Sequence, residues 1–312
     1  MHTVRPRVFA SRRFPPRVAD ELARLFTLDL YDSDWPPPRA ELLARVAGCD
    51  GFLAMLTDRV DDELLDAAGP QLRVVANHAV GVDNVDLDAC RRRGVVVANT
   101  PDVLSAATAE LTIALILALL RRVAEGDRLI RRGEEWIWAP TLMLGRGLGG
   151  LTLGLVGHGR IGQVVERLAL AHGMRVAWTS RGGGQSLDTL LSDADVISLH
   201  LPLTDETRHL IGATALARMK PSAVLVNTSR GPIVDEEALV AALEGGVIAG
   251  AALDVFEREP EVHPGLLQRE NVVLAPHLGS ATEETREAMG MLCVQALRAV
   301  LLDDTRPANV VP

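Results

Sequence analysis

The sequence is poor in aromatic residues, cysteine and lysine, and each shortage narrows what the protein can be. Phe, Trp and Tyr make up 3% of the 312 residues, so the core has to be built from Ala, Leu and Val. Cys49, Cys90 and Cys293 lie far apart without a CxxC pair, which argues against a disulfide framework or a zinc site and favours the cytoplasm. Lys220 is the only lysine, so the presence of arginine and not lysine at a given position says little about the function of that position.

Long apolar runs and excess positive charge are also missing. The longest apolar segment, residues 106–120, is interrupted by Thr108, Glu110 and Thr112, and it is too short to span a bilayer. No apolar stretch of signal-peptide length follows the basic N-terminus. The formal net charge of −9 argues against nucleic acid and against an anionic membrane surface as partners. We therefore expect a globular protein that binds neither.

Short Val-rich runs alternate with helical patterns in two series, which is typical of parallel α/β sheets. The first series predicts strands at residues 8–10, 51–55, 73–77 and 95–98, with helices at 17–26 and 61–68. The second predicts strands at residues 151–156, 175–179, 196–200, 223–227, 250–253 and 272–275, followed by a helix at 283–302. The chain is too long for one ordinary domain. We expect two doubly wound α/β domains: residues 1–98 with 283–312, and residues 99–282 inserted between them.

Two glycine-rich segments match the pattern GxGxxG, and only one has the surroundings of a dinucleotide-binding loop. Residues 145–150 precede a strand, so they cannot open a helix and are predicted to be a loop. Residues 157–162 (GHGRIG) instead lie between a buried strand, 151–156, and a helix, 163–171. This order of strand, loop and helix predicts a dinucleotide site.

The three glycines have separate tasks in such a loop. Gly157 permits the tight turn, Gly159 lets a pyrophosphate approach the backbone, and Gly162 lets the helix pack on the strand. Free N–H groups and the helix dipole then hold the anion. The predicted cofactor contacts in this loop are Gly157, Gly159, Arg160, Ile161 and Gly162.

The end of the next strand indicates which dinucleotide is bound. An Asp or Glu usually accepts hydrogen bonds from the ribose of NAD(H) there, but this chain has Ser180 and Arg181. A charge-assisted contact to a 2′-phosphate contributes about 1.5–3 kcal/mol. The sequence therefore predicts that NADP(H) is preferred, with NAD(H) possible. The alternative, an exposed arginine in an arginine-rich chain, stays open, and the short segment 182–186 predicts a less enclosed adenosine side.

Hydride transfer to a 2-oxo acid needs a cation for the carboxylate, a proton donor for the carbonyl oxygen and a group that keeps this donor charged. The C-terminal half offers one of each in loops after predicted strands: Arg230 in NTSRG, His277 in PHLGS and Glu259 in DVFEREP. Such loops gather beside the cofactor in a doubly wound sheet. Structural alternatives exist for each residue, namely a helix cap, a satisfied loop histidine and a turn residue before a proline.

In the chain order GxGxxG, NTSRG, DVFE and PHLGS, the motifs resemble those of the D-isomer-specific 2-hydroxyacid dehydrogenases, most closely the glyoxylate/hydroxypyruvate reductase branch. The similarity covers almost the whole chain and includes residues 76–86, 99–104 and 138–141 (ANHAVGVDNVD, NTPDVL and WAPT). The resemblance implies a Rossmann-type cofactor domain inserted into a flavodoxin-like substrate-binding domain. It also implies reduction of a small 2-oxo acid to the D-2-hydroxy acid.

The resemblance implies a role for each matching residue. His277 would be the general acid/base, and Glu259 would hydrogen-bond its imidazole and favour the charged form. Arg230 would bind the substrate carboxylate and polarise the carbonyl, while the N–H groups of Val80 and Gly81 would hold the other carboxylate oxygen. The remaining implied contacts are Asp254, Thr108 and Gly279 for the cofactor, and residues 53–56, including Leu56, for the substrate pocket.

The resemblance further implies that the segment around Trp138 reaches a partner subunit, so we expect a homodimer. Two alternatives to a small substrate remain. A 3-phosphoglycerate or bulkier substrate would call for basic residues near 53–56, where the sequence has only Arg59. A cofactor-gated corepressor-like binding protein would call for a disordered tail, for which only residues 303–312 are available.

Overall fold

Residues 5–312 are described in a computed structural model, and they divide into two compact units. The first unit comprises the described residues up to Leu104 together with Ala281–Pro312, and the second is Ser105–Ser280. Both boundaries fall beside helix starts, because a long buried helix begins at Ser105 and Thr282 caps the C-terminal helix. They lie a few residues from the positions expected from the sequence, 98 and 282.

The first unit contains one sheet of five parallel strands in the order β2-β1-β3-β4-β5. This is the flavodoxin-like order, in which the chain reverses its direction of winding between β1 and β3. The elements are β1 Arg7–Ala10, α1 Pro16–Leu25, β2 Thr27–Leu30, α2 Arg39–Val46, β3 Gly51–Ala54, α3 Asp62–Ala68, β4 Val74–Asn77, α4 Leu87–Arg92, β5 Val96–Ala98 and the C-terminal α12 Glu283–Leu301.

Helices cover both faces of this sheet, so its central strands β3 and β4 are buried along their whole length. Phe9 and Phe52 stack on one face with ring centroids 5.6 Å apart. Helix α12 packs on the other face, and there it lies so close to α1 that a Cβ at Gly290 would stand 2.6 Å from Val18 Cγ2. Within the sheet, the parallel pairing of β1 with β3 and of β3 with β4 places the carboxyl ends of these strands side by side.

The second unit contains a seven-stranded sheet in the order β12-β11-β10-β9-β6-β7-β8, parallel except for β8. Counted from β6, this is the Rossmann order with one further strand. The elements are α5 Ser105–Leu120, α6 Val123–Arg131, β6 Thr152–Val156, α7 Arg160–Ala171, β7 Arg175–Ser180, β8 Gly183–Gly184, α8 Leu187–Asp193, β9 Val196–Leu199, α9 Ala213–Arg218, β10 Val224–Asn227, a 3-10 turn Gly231–Ile233, α10 Glu236–Glu244, β11 Gly250–Leu253, α11 Pro264–Leu267 and β12 Val272–Leu274.

The fold class predicted from the sequence is confirmed, and the differences lie at short or half-buried elements. Strand β2 was not predicted, because it is an edge strand whose residues are only half-buried and include Asp29. Helices α2 and α4 were also missed. The short segment 182–186 still provides a two-residue strand, β8, which pairs antiparallel with β7. Glycines have no side chain to pack, so no hydrophobic pattern indicates such a strand.

Candidate active site

The glycine loop 157–162 has the geometry that its three glycines predict. Gly157 has φ +99°, and a Cβ there would stand 2.3 Å from the carbonyl oxygen of His200. A Cβ at Gly162 would stand 2.5 Å from the carbonyl oxygen of Gly157, so the first turn of helix α7 can pack against the loop only without a side chain there. A Cβ at Gly159, in contrast, would meet no atom within 4 Å. The loop therefore combines two packed glycines with one that faces open space.

Helix α7 begins directly in this loop. Its N-cap is Gly159, which has no side chain to accept from the first turn. The first-turn N–H groups of a helix have no intrahelical acceptor, and the helix dipole adds partial positive charge there. In this helix they belong to Arg160, Ile161 and Gly162. The open space at Gly159 and these N–H groups fit the diphosphate of a dinucleotide. The other glycine-rich match, 145–150, lies in a loop that leads into β6, as predicted.

His158 lies inside the loop, but its imidazole is held by structural contacts. Its Nε2 lies 2.7 Å from Glu166 Oε2 on helix α7. Its ring stacks on Trp178 of β7, with centroids 4.5 Å apart and planes 7° apart. These contacts give His158 a structural role inside the loop.

Ser180 and Arg181 lie at the end of β7, where the chain turns into β8. Ser180 Oγ accepts from the N–H of Gly182 at 3.2 Å. The Arg181 guanidinium lies 3.2 Å from Glu206, and both side chains are more than three quarters exposed. An ion pair this exposed contributes little, so Arg181 can exchange Glu206 for another anion. The turn is so tight that a Cβ at Gly184 would stand 2.2 Å from the Trp178 carbonyl oxygen.

Asn227, the last residue of β10, shapes the loop that carries Arg230. Its Oδ1 accepts from the N–H of Ser229 at 3.0 Å and its Nδ2 donates to the carbonyl oxygen of Arg230 at 2.8 Å. The helix that follows, α10, is capped by Asp235, whose side chain accepts from the N–H of Ala238, so Arg230 is not its N-cap. A Cβ at Gly231 would stand 1.9 Å from the carbonyl of Phe256. Glycine therefore lets this loop lie directly against the loop that leads to Glu259.

Glu259 and His277 form a hydrogen-bonded pair. His277 Nδ1 lies 2.8 Å from Glu259 Oε2, while Glu259 Oε1 accepts from the N–H of Phe256 at 3.0 Å. The backbone of His277 is left-handed, with φ +55°, and its N–H donates to the carbonyl oxygen of Asp254 at 2.8 Å. Such backbone conformations cost free energy and concentrate at functional sites. The arrangement directs Nδ1 to the carboxylate, so Nε2 is the ring nitrogen that is not bonded to Glu259.

The electrostatic surroundings keep Glu259 ionised. Burial alone raises the pKa of its carboxyl group. The hydrogen bond and charge of His277, the N–H of Phe256 and the charge of Arg230 outweigh burial, so the pKa lies below its usual value. Glu259 is therefore a carboxylate that favours positive charge on the imidazole.

Asp254 connects the end of β11 to the loop of His277. Its side chain is buried, and its two oxygens accept from the N–H groups of Leu278 at 2.6 Å and Gly279 at 2.8 Å. Thr108 of helix α5 donates to the carbonyl oxygen of Gly279 at 2.9 Å. Burial raises the pKa of Asp254, against the effect of the two N–H groups and the charge of His277. Three residues predicted to contact the cofactor thus form one cluster beside His277.

The predicted substrate residues Leu56, Val80 and Gly81 belong to the first unit and follow the carboxyl ends of β3 and β4. Leu56 lies in the turn after β3 and is half-buried. The carbonyl oxygens of Val80 and Gly81 accept from side-chain amides of Asn99 and Asn77. Their role in substrate binding remains a prediction.

A buried polar group at the carboxyl end of the five-stranded sheet was not predicted from the sequence. Arg12 Nη2 donates to Thr57 Oγ1 at 2.7 Å and lies 3.6 Å from Asp58 Oδ1. Burial raises the pKa of Asp58 against the hydrogen bond from Ser11. Arg59 was the only basic residue expected near 53–56, but Arg12 is also there, with its charge balanced by Asp58. The available signal was the position of Arg12 just after β1, next to the reversal of winding between β1 and β3.

A Rossmann-order sheet with a dinucleotide loop, and an Arg–Glu–His set after its later strands, defines a nicotinamide-dependent oxidoreductase. The chain belongs to the family of D-isomer specific 2-hydroxyacid dehydrogenases, whose NAD binding domain matches residues 113–279. Among curated proteins, a glyoxylate reductase from Aeropyrum pernix is 49% identical over 95% of this chain and 92% of its own length. The family resemblance seen in the motifs is thereby confirmed.

Solved structures agree with this assignment. A protein from Thermus thermophilus has a TM-score of 0.92 and 46% identity, over 98% of this chain and all of that chain. An NADPH-dependent glyoxylate/hydroxypyruvate reductase from Sinorhizobium meliloti, solved with NADP and malonate, has a TM-score of 0.86 and 35% identity, over 98% and 97% of the two chains. In residues 5–312, every helix is too short or too polar to cross a membrane.

Proposed function

We propose that the protein reduces glyoxylate, and also hydroxypyruvate, to the 2-hydroxy acid with NADPH. The observation that carries this proposal is the His277–Glu259 pair at 2.8 Å, with Arg230 in the adjoining loop. The glyoxylate reductases among the relatives support the choice of substrate. They offer no support for a corepressor or for a phosphorylated substrate.

Each of the three side chains has one task in this reaction. The nicotinamide, when bound, supplies the hydride that adds to the carbonyl carbon. His277 Nε2 gives its proton to the carbonyl oxygen, and the ring ends neutral. Glu259 stabilises the charged ring before this transfer, because its carboxylate accepts from Nδ1. Arg230 binds the substrate carboxylate through two parallel N–H groups and polarises the carbonyl.

Separate sets of residues are assigned to the cofactor and to the substrate in this proposal. The glycine loop, Thr108, Asp254 and Gly279 would bind the dinucleotide, which fits the match of residues 113–279 to an NAD binding domain. Leu56 and the N–H groups of Val80 and Gly81 are assigned to the substrate.

A preference for NADPH over NADH rests on Ser180 and Arg181. No carboxylate ends β7, and the only anionic partner of the exposed Arg181 among residues 5–312 is the equally exposed Glu206. The dissociation constants of both nucleotides, measured by fluorescence, test this. Arg181→Ala should weaken NADPH binding about tenfold or more and leave NADH binding unchanged. Equal affinity of the unmodified protein for both nucleotides would contradict the proposal.

We also propose a homodimer in the cytoplasm. Trp136, Ile137 and Trp138 are 61%, 77% and 80% exposed, and adjacent exposed apolar side chains of this size are typical of interaction surfaces. The three cysteines are unpaired and buried, as suits a reducing compartment. Light scattering of the protein and of Trp138→Glu tests the assembly: we expect a dimer that the substitution weakens, and a monomeric parent protein would refute it.

The proposed reaction is tested by initial rates of NADPH and NADH oxidation with glyoxylate, hydroxypyruvate, pyruvate and a phenyl-substituted 2-oxo acid. We expect the fastest oxidation with NADPH and glyoxylate, and its loss in His277→Ala. The matched control is His209→Ala, because His209 Nε2 also lies 2.8 Å from a glutamate, Glu257, but outside the proposed site. Equal activity of the two variants would exclude His277 as the acid, and no turnover of any substrate would refute the proposal.

A further inference from the structure

The loop after β4 has three consecutive carbonyl oxygens held by hydrogen bonds. The carbonyl of Ala79 accepts from the N–H of Thr100 at 2.9 Å. The carbonyl of Val80 accepts from Asn99 Nδ2 at 2.8 Å. The carbonyl of Gly81 accepts from Asn77 Nδ2 at 2.9 Å. The peptide units from residue 79 to residue 82 are therefore fixed in orientation one after another.

Fixed carbonyls also fix the N–H groups on the same peptide units. In a trans peptide the C=O and N–H point in opposite directions, and Glu259–Pro260 is the one cis bond of residues 5–312. The bond from Thr100 thus directs the N–H of Val80, and the bond from Asn99 directs the N–H of Gly81. In the part of the chain that the structure describes, no protein group accepts from either N–H. Both are available to a ligand.

The side chain of Asn99 affects this loop alone. The backbone of Asn99 is held independently, because its N–H donates to the carbonyl of Asn309 at 3.1 Å and its carbonyl accepts from Asn309 Nδ2 at 2.5 Å. Its own amide makes a single hydrogen bond, to Val80. Asn77 is different, since it is fully buried and also bonded to Asn84, whose amide holds the turn after β3. Asn99 can therefore be substituted without removing a side chain that, like Asn77, holds several segments together.

We propose that Asn99 is a positioning residue for the substrate carboxylate. Its amide holds the Val80 carbonyl so that the Gly81 N–H points at a carboxylate oxygen. A backbone donor aimed in advance binds an anion better than one that must first be ordered. The inference rests on the proposed function, because it takes the Gly81 N–H as a ligand of a 2-oxo acid.

The test compares Asn99→Ala with the unmodified protein. Without the amide, the Val80–Gly81 peptide can rotate, so we expect the KM for glyoxylate to rise about tenfold with a much smaller change in kcat. Asn99→Asp should have a larger effect, because a carboxylate repels the Val80 carbonyl. The dissociation constant of NADPH and the thermal midpoint should stay unchanged in Asn99→Ala. The matched control is Asn271→Ala, which removes a 3.0 Å bond of the same kind to the carbonyl of Ala249.

Calorimetric titration of oxamate, a non-reacting 2-oxo acid analogue, into the protein saturated with NADP separates this inference from the proposed function. Oxamate should bind about tenfold more weakly to Asn99→Ala. If the unmodified protein does not reduce glyoxylate, the proposed function fails, but weaker oxamate binding to the variant would still support the positioning role. Unchanged KM and unchanged oxamate affinity in Asn99→Ala would overturn it, as would absence of oxamate binding to the unmodified protein.

Discussion

Replacing Glu259 by glutamine should slow the reduction of glyoxylate without disturbing the fold. Glu259 Oε1 accepts from the N–H of Phe256 at 3.0 Å, so the oxygen of the glutamine amide has to stay there. Its NH2 group then faces His277 Nδ1, where the carboxylate lies now. An amide that donates to Nδ1 favours the neutral ring, whereas the carboxylate favours the charged one. The variant therefore keeps its packing and lowers the population of the proton donor.

The size of this effect follows from the geometry of the pair. A hydrogen bond to a charged group contributes about 1.5–3 kcal/mol. About a quarter of each side chain is exposed, 28% for Glu259 and 25% for His277, so the lower end of that range applies. A tenfold change in rate corresponds to about 1.4 kcal/mol. The kcat/KM for glyoxylate reduction should thus fall about tenfold, because the imidazole loses the carboxylate that stabilises it as proton donor.

The measurement is kcat/KM for glyoxylate, together with the thermal midpoint, for the unmodified protein and for Glu259→Gln. Glu257→Gln is the matched control, since Glu257 lies in the same loop and pairs with a different histidine, His209, at 2.8 Å. Its kcat/KM should stay unchanged. The prediction is wrong if Glu259→Gln keeps the kcat/KM of the unmodified protein, or if the control loses as much.

Three further outcomes are expected. Gly159→Ala should keep the thermal midpoint of the unmodified protein, because its Cβ would meet no atom within 4 Å. It should raise the dissociation constant of NADPH about tenfold or more, because the methyl group occupies the space for the diphosphate. Unchanged NADPH affinity would contradict the assignment of the loop as the dinucleotide site. Arg230→Lys should lower kcat/KM for glyoxylate about a hundredfold at constant NADPH affinity, because a point charge cannot bind bidentately. Burial, aided by Arg286, lowers the pKa of His78 from 6.5 to about 4, so the unfolded chain takes up that proton first and stability falls as pH drops through this window. Between about pH 7.5 and pH 5 this effect costs about 2 kcal/mol, and urea unfolding of His78→Gln should lack that loss.

Motifs with strict local requirements were readable in the sequence. The flanking strand and helix distinguished the loop 157–162 from the second glycine-rich match, 145–150. The structure has this strand and this helix on either side of 157–162, as expected. Arg230, Glu259 and His277 could be placed after successive strands because parallel strands bring their carboxyl ends to one edge. Chain order and the periodicity of Val-rich runs contain this information, so the α/β class and both series of strands followed from the sequence.

Contacts between residues far apart in sequence were decided only by the tertiary structure. The short strand β8, the burial of Arg12 beside Asp58 and the bond from Asn99 to Val80 leave no local pattern, because each joins segments whose proximity depends on how the strands pair. The same holds for the hydrogen bond between Glu259 and His277, which joins the loops that follow two different strands, β11 and β12. The sequence thus determined which chemical groups follow each strand, and the packed sheet determined which of them touch.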